Sequence, residues 1–317
     1  MGKELYWAVD IGGTKILLLM VDISGRVMFR KKIKTPRPSE PEKVVEVIVQ
    51  TITEYSKTVK AGATGGSPAV LGICTAGFVD SLSGLVYQSP NLEWHQPVHL
   101  GSMLKEKLDC PVLIENDTNA AVVGEVHYGA ARGHANAVYV TLSTGIGGGL
   151  YLNGRLFRGT DGFAGEIGHT KAFGKGRPCK CGGTDCLETW ASGSALAASA
   201  REIWDEKELN DGHISTAWVF EQADQGNTLA QKIVDHAAAS IGLGLSNLVT
   251  LLNPSCLVIG GGVAANREDF MNRVVENIRE QAIKPAVETT ALEIKAAALE
   301  PEAGIWGIYS LITGRAE

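Results

Sequence analysis

Short apolar runs separated by glycine turns open the chain. Residues 6–10, 16–22 and 27–34 each read as a strand, joined through Gly12-Gly13 and then Ser24-Gly25. Ser39 followed by Glu42 has capping-box spacing, with Pro41 in the first turn. The period then changes. Val44, Val45, Ile48, Ile52 and Tyr55 fall on one stripe and predict an amphipathic helix, ended by the glycine-rich stretch 62–67. Residues 69–74 predict a buried strand, 100–108 a short helix and 112–115 another strand. The second half restarts with the same theme: strand 137–142, glycine turn 143–149, strand 150–152. Helices follow over about 194–204 and 228–252, then a buried strand over 256–259. That strand ends in Gly260-Gly261-Gly262, and Asn266 is placed to cap a helix running to about residue 282. Strands alternating with helices predict an α/β fold. The repeated opening predicts two similar lobes facing a cleft, divided near residues 116–118.

A length of 317 residues suits about two domains. A chain this long buries enough surface to hold a core without disulfide staples. The net charge is -6, and Arg30-Lys31-Lys32 is the densest basic run, which reads as a solvated strand end. Nucleic-acid binding needs a positive face and is disfavoured. The N-terminus lacks the regions of a signal peptide. Tyr6 stands where a myristoylation signal wants Ser or Thr. The apolar run 16–21 is far too short to span a bilayer. The expectation is a cytoplasmic protein without a membrane partner, whose six cysteines serve metal or packing roles before disulfides.

Three glycine turns carry candidate chemistry. In Asp10-Ile11-Gly12-Gly13-Thr14-Lys15, backbone N–H groups unhindered by a Cβ can converge on phosphate oxygens. Thr14 adds a hydroxyl, and Asp10 suits magnesium held through water. A plain hairpin explains this segment equally well. Ser143-Thr144-Gly145-Ile146-Gly147-Gly148-Gly149 has more glycine than a hairpin needs. It lacks a Walker ending, and a strand rather than a helix follows, against the dinucleotide fingerprint. Gly260-Gly261-Gly262 sits at a strand-to-helix turn, where α/β proteins bind ligands. Together the three favour nucleotide binding.

Glu115-Asn116-Asp117 closes a buried strand just before a helix. Asp117 there suits a helix N-cap and also a carboxylate that accepts a proton from an attacking hydroxyl. No Gly-x-Ser-x-Gly elbow is present. Cys179-x-Cys181-x4-Cys186 with His169 upstream has the donor set of a closed tetrahedral zinc site, structural because no position is left open. Free thiols or disulfides are the alternative, although cysteines one residue apart pair poorly. Cys74, Cys110 and Cys256 read as core residues. Glu166 and Glu188 flank the cluster. A metal clip fixing two acids suits recognition of a polyhydroxyl ring; a zinc knuckle with solvated acids is the other reading.

At these residues the chain resembles the ROK family of sugar kinases and repressors, within the actin-like, hexokinase and chaperone ATPase superfamily. The matching segments are 10–15, 75–80, 89–92, 115–121, 143–149, 165–169, 179–188 and 258–262. The run Glu166-Ile167-Gly168-His169, the cysteine cluster and Glu188 are the most specific. The resemblance implies a two-lobed α/β actin-like/hexokinase (ribonuclease H-like) fold with a central cleft. Its lobes would be 1–116 with the C-terminal helix at about 304–317, and 117–303, which carries the zinc site and the dimer helices. It implies an ATP-dependent hexokinase, glucose being favoured over fructose, mannose, allose or N-acetylmannosamine. Asp117 would be the base, and Asn91, Asn116, Asp117, Glu166, His169 and Glu188 would bind the sugar. Asp10, Gly12, Gly13, Thr14, Lys15, Thr144, Gly145, Gly147, Gly261 and Gly262 would bind ATP, with Mg2+ reached indirectly from Asp10. His169, Cys179, Cys181 and Cys186 would bind Zn2+, and the assembly would be a homodimer or tetramer. A sugar-sensing regulator is disfavoured because no helix-turn-helix precedes residue 10, and an actin-like ATPase would not need the zinc-clipped acids. Two positions depart from the family pattern: Asp185 stands where glycine is usual, and Ala76 where proline is.

Overall fold

A computed structural model describes residues 5–59, 69–172, 174, 176–205, 213–288 and 292–315. In chain order the elements are β1 (Leu5–Ile11), β2 (Lys15–Asp22), β3 (Val27–Lys34), α1 (Pro41–Val59), β4 (Val70–Thr75), β5 (Phe78–Asp80), β6 (Leu85–Gln88), α2 (Leu100–Leu108), β7 (Val112–Asn116) and α3 (Asp117–Tyr128). Next come β8 (Ala137–Leu142), β9 (Ile146–Leu152), β10 (Arg155–Leu156), α4 (Glu188–Ala191), α5 (Gly193–Arg201), α6 (Thr216–Asp224) and α7 (Thr228–Leu252). The chain ends with β11 (Cys256–Gly260), α8 (Glu268–Gln281), α9 (Lys284–Glu288), β12 (Glu293–Ala296) and α10 (Ala303–Ile312). No helix among the described residues is long and apolar enough to cross a membrane.

Two compact units form. The first comprises Met1–Gly133, Gly149–Ala164 and Pro301–Glu317; the second comprises His134–Gly148 and Gly165–Glu300. A lobe boundary after residue 116 would assign α3 to the second lobe. By packing, α3 lies in the first unit against α10.

The first unit is built on a sheet of order β3-β2-β1-β4-β7. β1 pairs antiparallel with β2 and parallel with β4, and β4 pairs parallel with β7. Side chains alternate across a strand. Trp7, Val9 and Ile11 therefore meet Val44, Val45, Ile48 and Ile52 of α1 and Leu100 and Leu104 of α2. Tyr6 and Ala8 face the other way, toward Ala120 of α3 and Ile305, Ile308 and Tyr309 of α10. The same alternation puts Asp10, Cys74 and Glu115, aligned in register across three parallel strands, on the α3/α10 face. The end of β9 pairs antiparallel with β10 within this unit.

In the second unit β11 lies parallel to both β8 and β12, and β8 neighbours the start of β9. The long helix α7 packs on α8 and α6. Two expected caps differ. The α8 N-cap is Arg267 without a side-chain bond, while Asn266 takes a left-handed φ of 57°. Ser39 bonds its hydroxyl to the Pro36 carbonyl instead of closing a capping box. The expected stop at 62–67 lies outside the described residues.

Candidate active site

The first unit gathers one set of residues at the C-terminal ends of its parallel strands. Gly12 donates its N–H to the Lys15 carbonyl at 3.0 Å, closing the β1–β2 turn. Thr35 buttresses that turn: its hydroxyl donates to the Gly12 carbonyl at 2.6 Å and its N–H to the Thr14 carbonyl at 3.2 Å. Arg37 also donates to the Gly13 carbonyl. A Cβ on Gly13 would lie 2.5 Å from the Asn91 carbonyl oxygen, so only glycine lets this turn approach the backbone of Asn91. Asn91 itself is exposed.

At the end of β7 the structure separates the two roles open to Asp117. The helix cap is Asn116, whose Oδ1 accepts from the N–H of Thr118 at 2.8 Å and of Asn119 at 3.1 Å. Its Nδ2 donates to the Gly77 carbonyl at 3.0 Å. Asn116, expected among the sugar ligands, thus has its oxygen committed to the helix. Asp117 is the first helical residue, and its Oδ1 accepts from Thr118 N–H at 2.9 Å.

Asp10 and Asp117 keep some exposure but are closely surrounded by protein. Desolvation, then the negative charge of Asp117, pushes Asp10 up to about 7, against the pull of Lys15. Desolvation also raises Asp117, opposed by the Thr118 N–H. Two acids held near each other with raised pKa values form a site that a hard divalent cation would discharge, and such cations favour carboxylate and water oxygens. The residues present therefore fit Mg2+ beside Asp10.

The second unit carries the other set. Glu188, first residue of α4, accepts the Ile146 N–H at 2.9 Å through Oε2. A Cβ on Gly145 would meet the same oxygen at 2.3 Å, so the glycine makes room for the carboxylate. Glu300 holds the third glycine turn, accepting from Gly261 N–H at 2.6 Å and from the Tyr139 hydroxyl at 2.8 Å. A pocket of about 410 Å³ opens between the second and third turns, lined by Thr144, Ser194, Arg201, Thr216, Gly262 and Arg267 among others. Arg267 stacks on Phe220, 4.0 Å from the ring centroid, and donates to the Gly262 carbonyl at 3.0 Å.

His169, Cys179, Cys181 and Cys186 place one ligand atom each within 4.8 Å of one another. Cys179 Sγ lies 3.7 Å from His169 Nδ1, and Cys181 Sγ 3.7 Å from Cys186 Sγ. Zinc–sulfur bonds of about 2.3 Å at tetrahedral angles put two sulfurs roughly 3.8 Å apart. The cluster therefore fits Zn2+ in donor type and spacing. Burial pushes Cys179 up to about 12, while a backbone N–H from Gly183 draws Cys181 down. All six cysteines are free thiols, and Cys74, Cys110 and Cys256 are buried as expected.

The chain matches the ROK family over residues 6–315. It belongs to that family. A glucokinase of Halalkalibacterium halodurans is 32% identical over 97% of this chain and 94% of that protein. A xylose repressor of Caldicellulosiruptor bescii is 28% identical over 96% of this chain and 77% of that protein. The crystal structure of a ROK family glucokinase from Streptomyces griseus, in complex with glucose and AMPPNP, superposes with a TM-score of 0.76. It is 34% identical, covering 97% of this chain and 98% of that chain. The fold is the actin-like/hexokinase ATPase fold of ROK sugar kinases.

Within this ROK chain, Asp10, Gly12, Gly13, Thr14, Lys15, Asn91, Asn116 and Asp117 belong to the first unit. Thr144, Gly145, Gly147, Glu166, His169, Glu188, Gly261 and Gly262 belong to the second. Glu166 Oε2 lies 3.9 Å from His169 Nε2, the ring nitrogen turned away from Cys179. Sequence reasoning passed over Arg37, Glu300, Arg201 and Arg267. Each acts through a backbone carbonyl, a backbone N–H or a ring, and no spacing rule marks such partners.

Proposed function

We propose that this chain is an ATP-dependent hexokinase that phosphorylates the 6-hydroxyl of a hexose, with glucose as the preferred substrate. The observation that carries the reading is the division of labour at α3: Asn116 caps the helix, so Asp117 is left to act as a base. Asp117 takes the hydroxyl proton as the sugar oxygen bonds to the γ-phosphorus and the bond from that phosphorus to the bridging oxygen of ADP breaks. Desolvation holds its proton affinity above that of a free aspartate, which strengthens it as a base. The turns at Gly12–Lys15 and Thr144–Gly147 supply backbone N–H groups and hydroxyls to the phosphates, and the pocket beside Gly262 takes the nucleoside. Mg2+, reached through water from Asp10, would supply charge neutralisation on the phosphates. Glu166, His169 and Glu188 orient the sugar, on a scaffold that Zn2+ held by His169, Cys179, Cys181 and Cys186 would close. The family resemblance adds a homodimer, read directly as molar mass by light scattering.

A coupled ADP-release assay over glucose, fructose, mannose, allose and N-acetylmannosamine tests the reading. Glucose is expected to give the highest kcat/KM. Asp117→Asn is expected to lower kcat by about 10²–10⁴-fold, the usual contribution of a general base, while calorimetry still detects sugar binding. Failure of every hexose to release ADP from the zinc-loaded protein would end this proposal; near-native turnover by Asp117→Asn would remove Asp117 from it.

A further inference from the structure

We infer that Glu115 and Arg158 form a positioning pair that sets the aim of Asp117; the inference rests on the proposed role of that aspartate. Glu115 sits two residues before Asp117 on β7, and its side chain is 1% exposed. Its Oε1 accepts the N–H of Asn116 at 3.0 Å and the side-chain amide of Asn119 at 3.0 Å. One carboxylate oxygen thus grips the backbone just before Asp117 and a side chain two residues after it. Its Oε2 accepts from Arg158 Nε at 2.7 Å. Arg158 follows β10, and its backbone carbonyl accepts the Ala164 N–H at 3.0 Å, so the cation is itself anchored.

The placement is costly for the fold alone. A buried carboxylate and its cation lose hydration that well-packed apolar side chains of the same volume would not need. The sheet face that carries Glu115 also holds Asp10, and its remaining side chains are apolar: Cys74, Ala120 and Ile305 form a cluster there with Leu113 packed against it. A buried carboxylate whose cation stays one-third exposed is explained by direction rather than by stability. The bonds to Asn116 and Asn119 fix the first turn of α3, and Asp117 lies between them. Proton abstraction depends on the carboxylate meeting the hydroxyl in line with the phosphorus, and a displacement of about 1 Å can cost on the order of 10²-fold in rate. Asn119 Oδ1 has no hydrogen-bond partner among the described residues, so the amide of Asn119 is oriented by Glu115.

The test uses the zinc-loaded full chain with its best hexose and ATP. Glu115→Gln keeps shape and removes charge; Arg158→Ala removes the cation. Each is expected to lower kcat roughly 10- to 100-fold while both KM values stay within about twofold, the pattern of a misplaced base. The double variant should lose no more than the worse single one, because the two side chains act as one device. Arg158→Ala should regain part of its kcat on adding methylguanidinium, which a general loss of stability would not allow. If Arg158→Ala does not fold, Arg158→Lys carries the same comparison, keeping the charge without the planar Nε contact. Folded variants with kcat within twofold of wild type, or losses confined to KM, would overturn the pair. An inactive wild-type protein would count against the kinase reading instead, so the two failures are distinguishable.

Discussion

Asp10 shows how one residue can tie stability to chemistry. Its carboxyl is raised from an ordinary 3.8 to about 7 because β1 delivers it to a desolvated strand end beside Asp117. Between those values the folded chain holds a proton that the unfolded chain has released. Folding stability contributed by this group is therefore fully present below about pH 4 and is lost as pH rises toward 7. Asp117 is shifted in the same direction and adds to the effect. Asp10→Asn should flatten the fall of Tm across that window and raise Tm at pH 8, while turnover with Mg2+ and ATP drops. Mg2+ with a nucleotide should raise the Tm of the wild type at pH 8 far more than that of the variant. Thermal scans at fixed ionic strength check both points. A variant Tm that falls with pH as steeply as the wild type would show that Asp10 is not the source.

At the scale of elements, the cysteine loop shows how a departure from the family pattern is accommodated. Asp185 has a left-handed φ of 57°, a conformation that favours glycine. Its side chain offsets that strain by accepting the N–H of Gly176 at 2.7 Å and of Arg177 at 2.9 Å. Arg177 then reaches the Thr189 carbonyl and Ser199, and stacks on Trp190 with 4.6 Å to the ring centroid. The loop holding Cys179, Cys181 and Cys186 is thereby bound to α4 and to Glu188 at its start. Asp185→Ala keeps the strain and loses both bonds, a cost of about 1–3 kcal/mol for the orphaned donors. Asp185→Gly loses the bonds alone. Zinc transfer to a chromophoric chelator should be fastest for Asp185→Ala, intermediate for Asp185→Gly and slowest for the wild type. Equal rates would mean that the carboxylate does not hold the loop. This loop also marks what sequence can and cannot show. The donor set was legible because cysteine and histidine have few reasons to cluster. The apolar run of β1 and the stripe on α1 were legible because burial selects apolar residues and imposes the helical period. The compensation by Asp185 was not, since its partners lie eight and nine residues back across a turn. Nor was the cap at Asn116: adjacent Asn and Asp suit the position equally, and only the backbone of residues 116–119 decides between them.

Over the whole molecule, the last helix determines whether the first unit is complete. α10 lies on α3, β1 and β4, so the end of the chain closes a core begun by its first strand. The closure depends on bare backbone. A Cβ on Gly307 would lie 1.6 Å from the Ala120 carbonyl oxygen, and one on Gly124 would lie 2.2 Å from that of Ala303. Gly72 likewise leaves room on β4 for Ile308 and Ile312. Tyr309 completes the seam, donating its hydroxyl to the Asp22 carbonyl at 2.7 Å. Gly307→Ala would gain helix propensity, worth roughly 1 kcal/mol. No rotamer can move a Cβ, however, so the helices must part, and overpacking costs typically about 1–3 kcal/mol. The clash is with a carbonyl fixed in α3, which puts the cost toward the upper end and above the propensity gain. Gly154→Ala, in the β9–β10 turn, is unsuitable because its φ is left-handed, so Gly174→Ala is the control: its added Cβ would meet nothing within 4 Å among the described residues. Hydrogen exchange should show lost protection in 117–128 and 303–312 for Gly307→Ala, and wild-type protection for Gly174→Ala. Because α3 begins at Asp117, parting the helices should also lower kcat more than either KM. Wild-type protection together with wild-type turnover in Gly307→Ala would mean that this seam neither stabilises the unit nor aims Asp117.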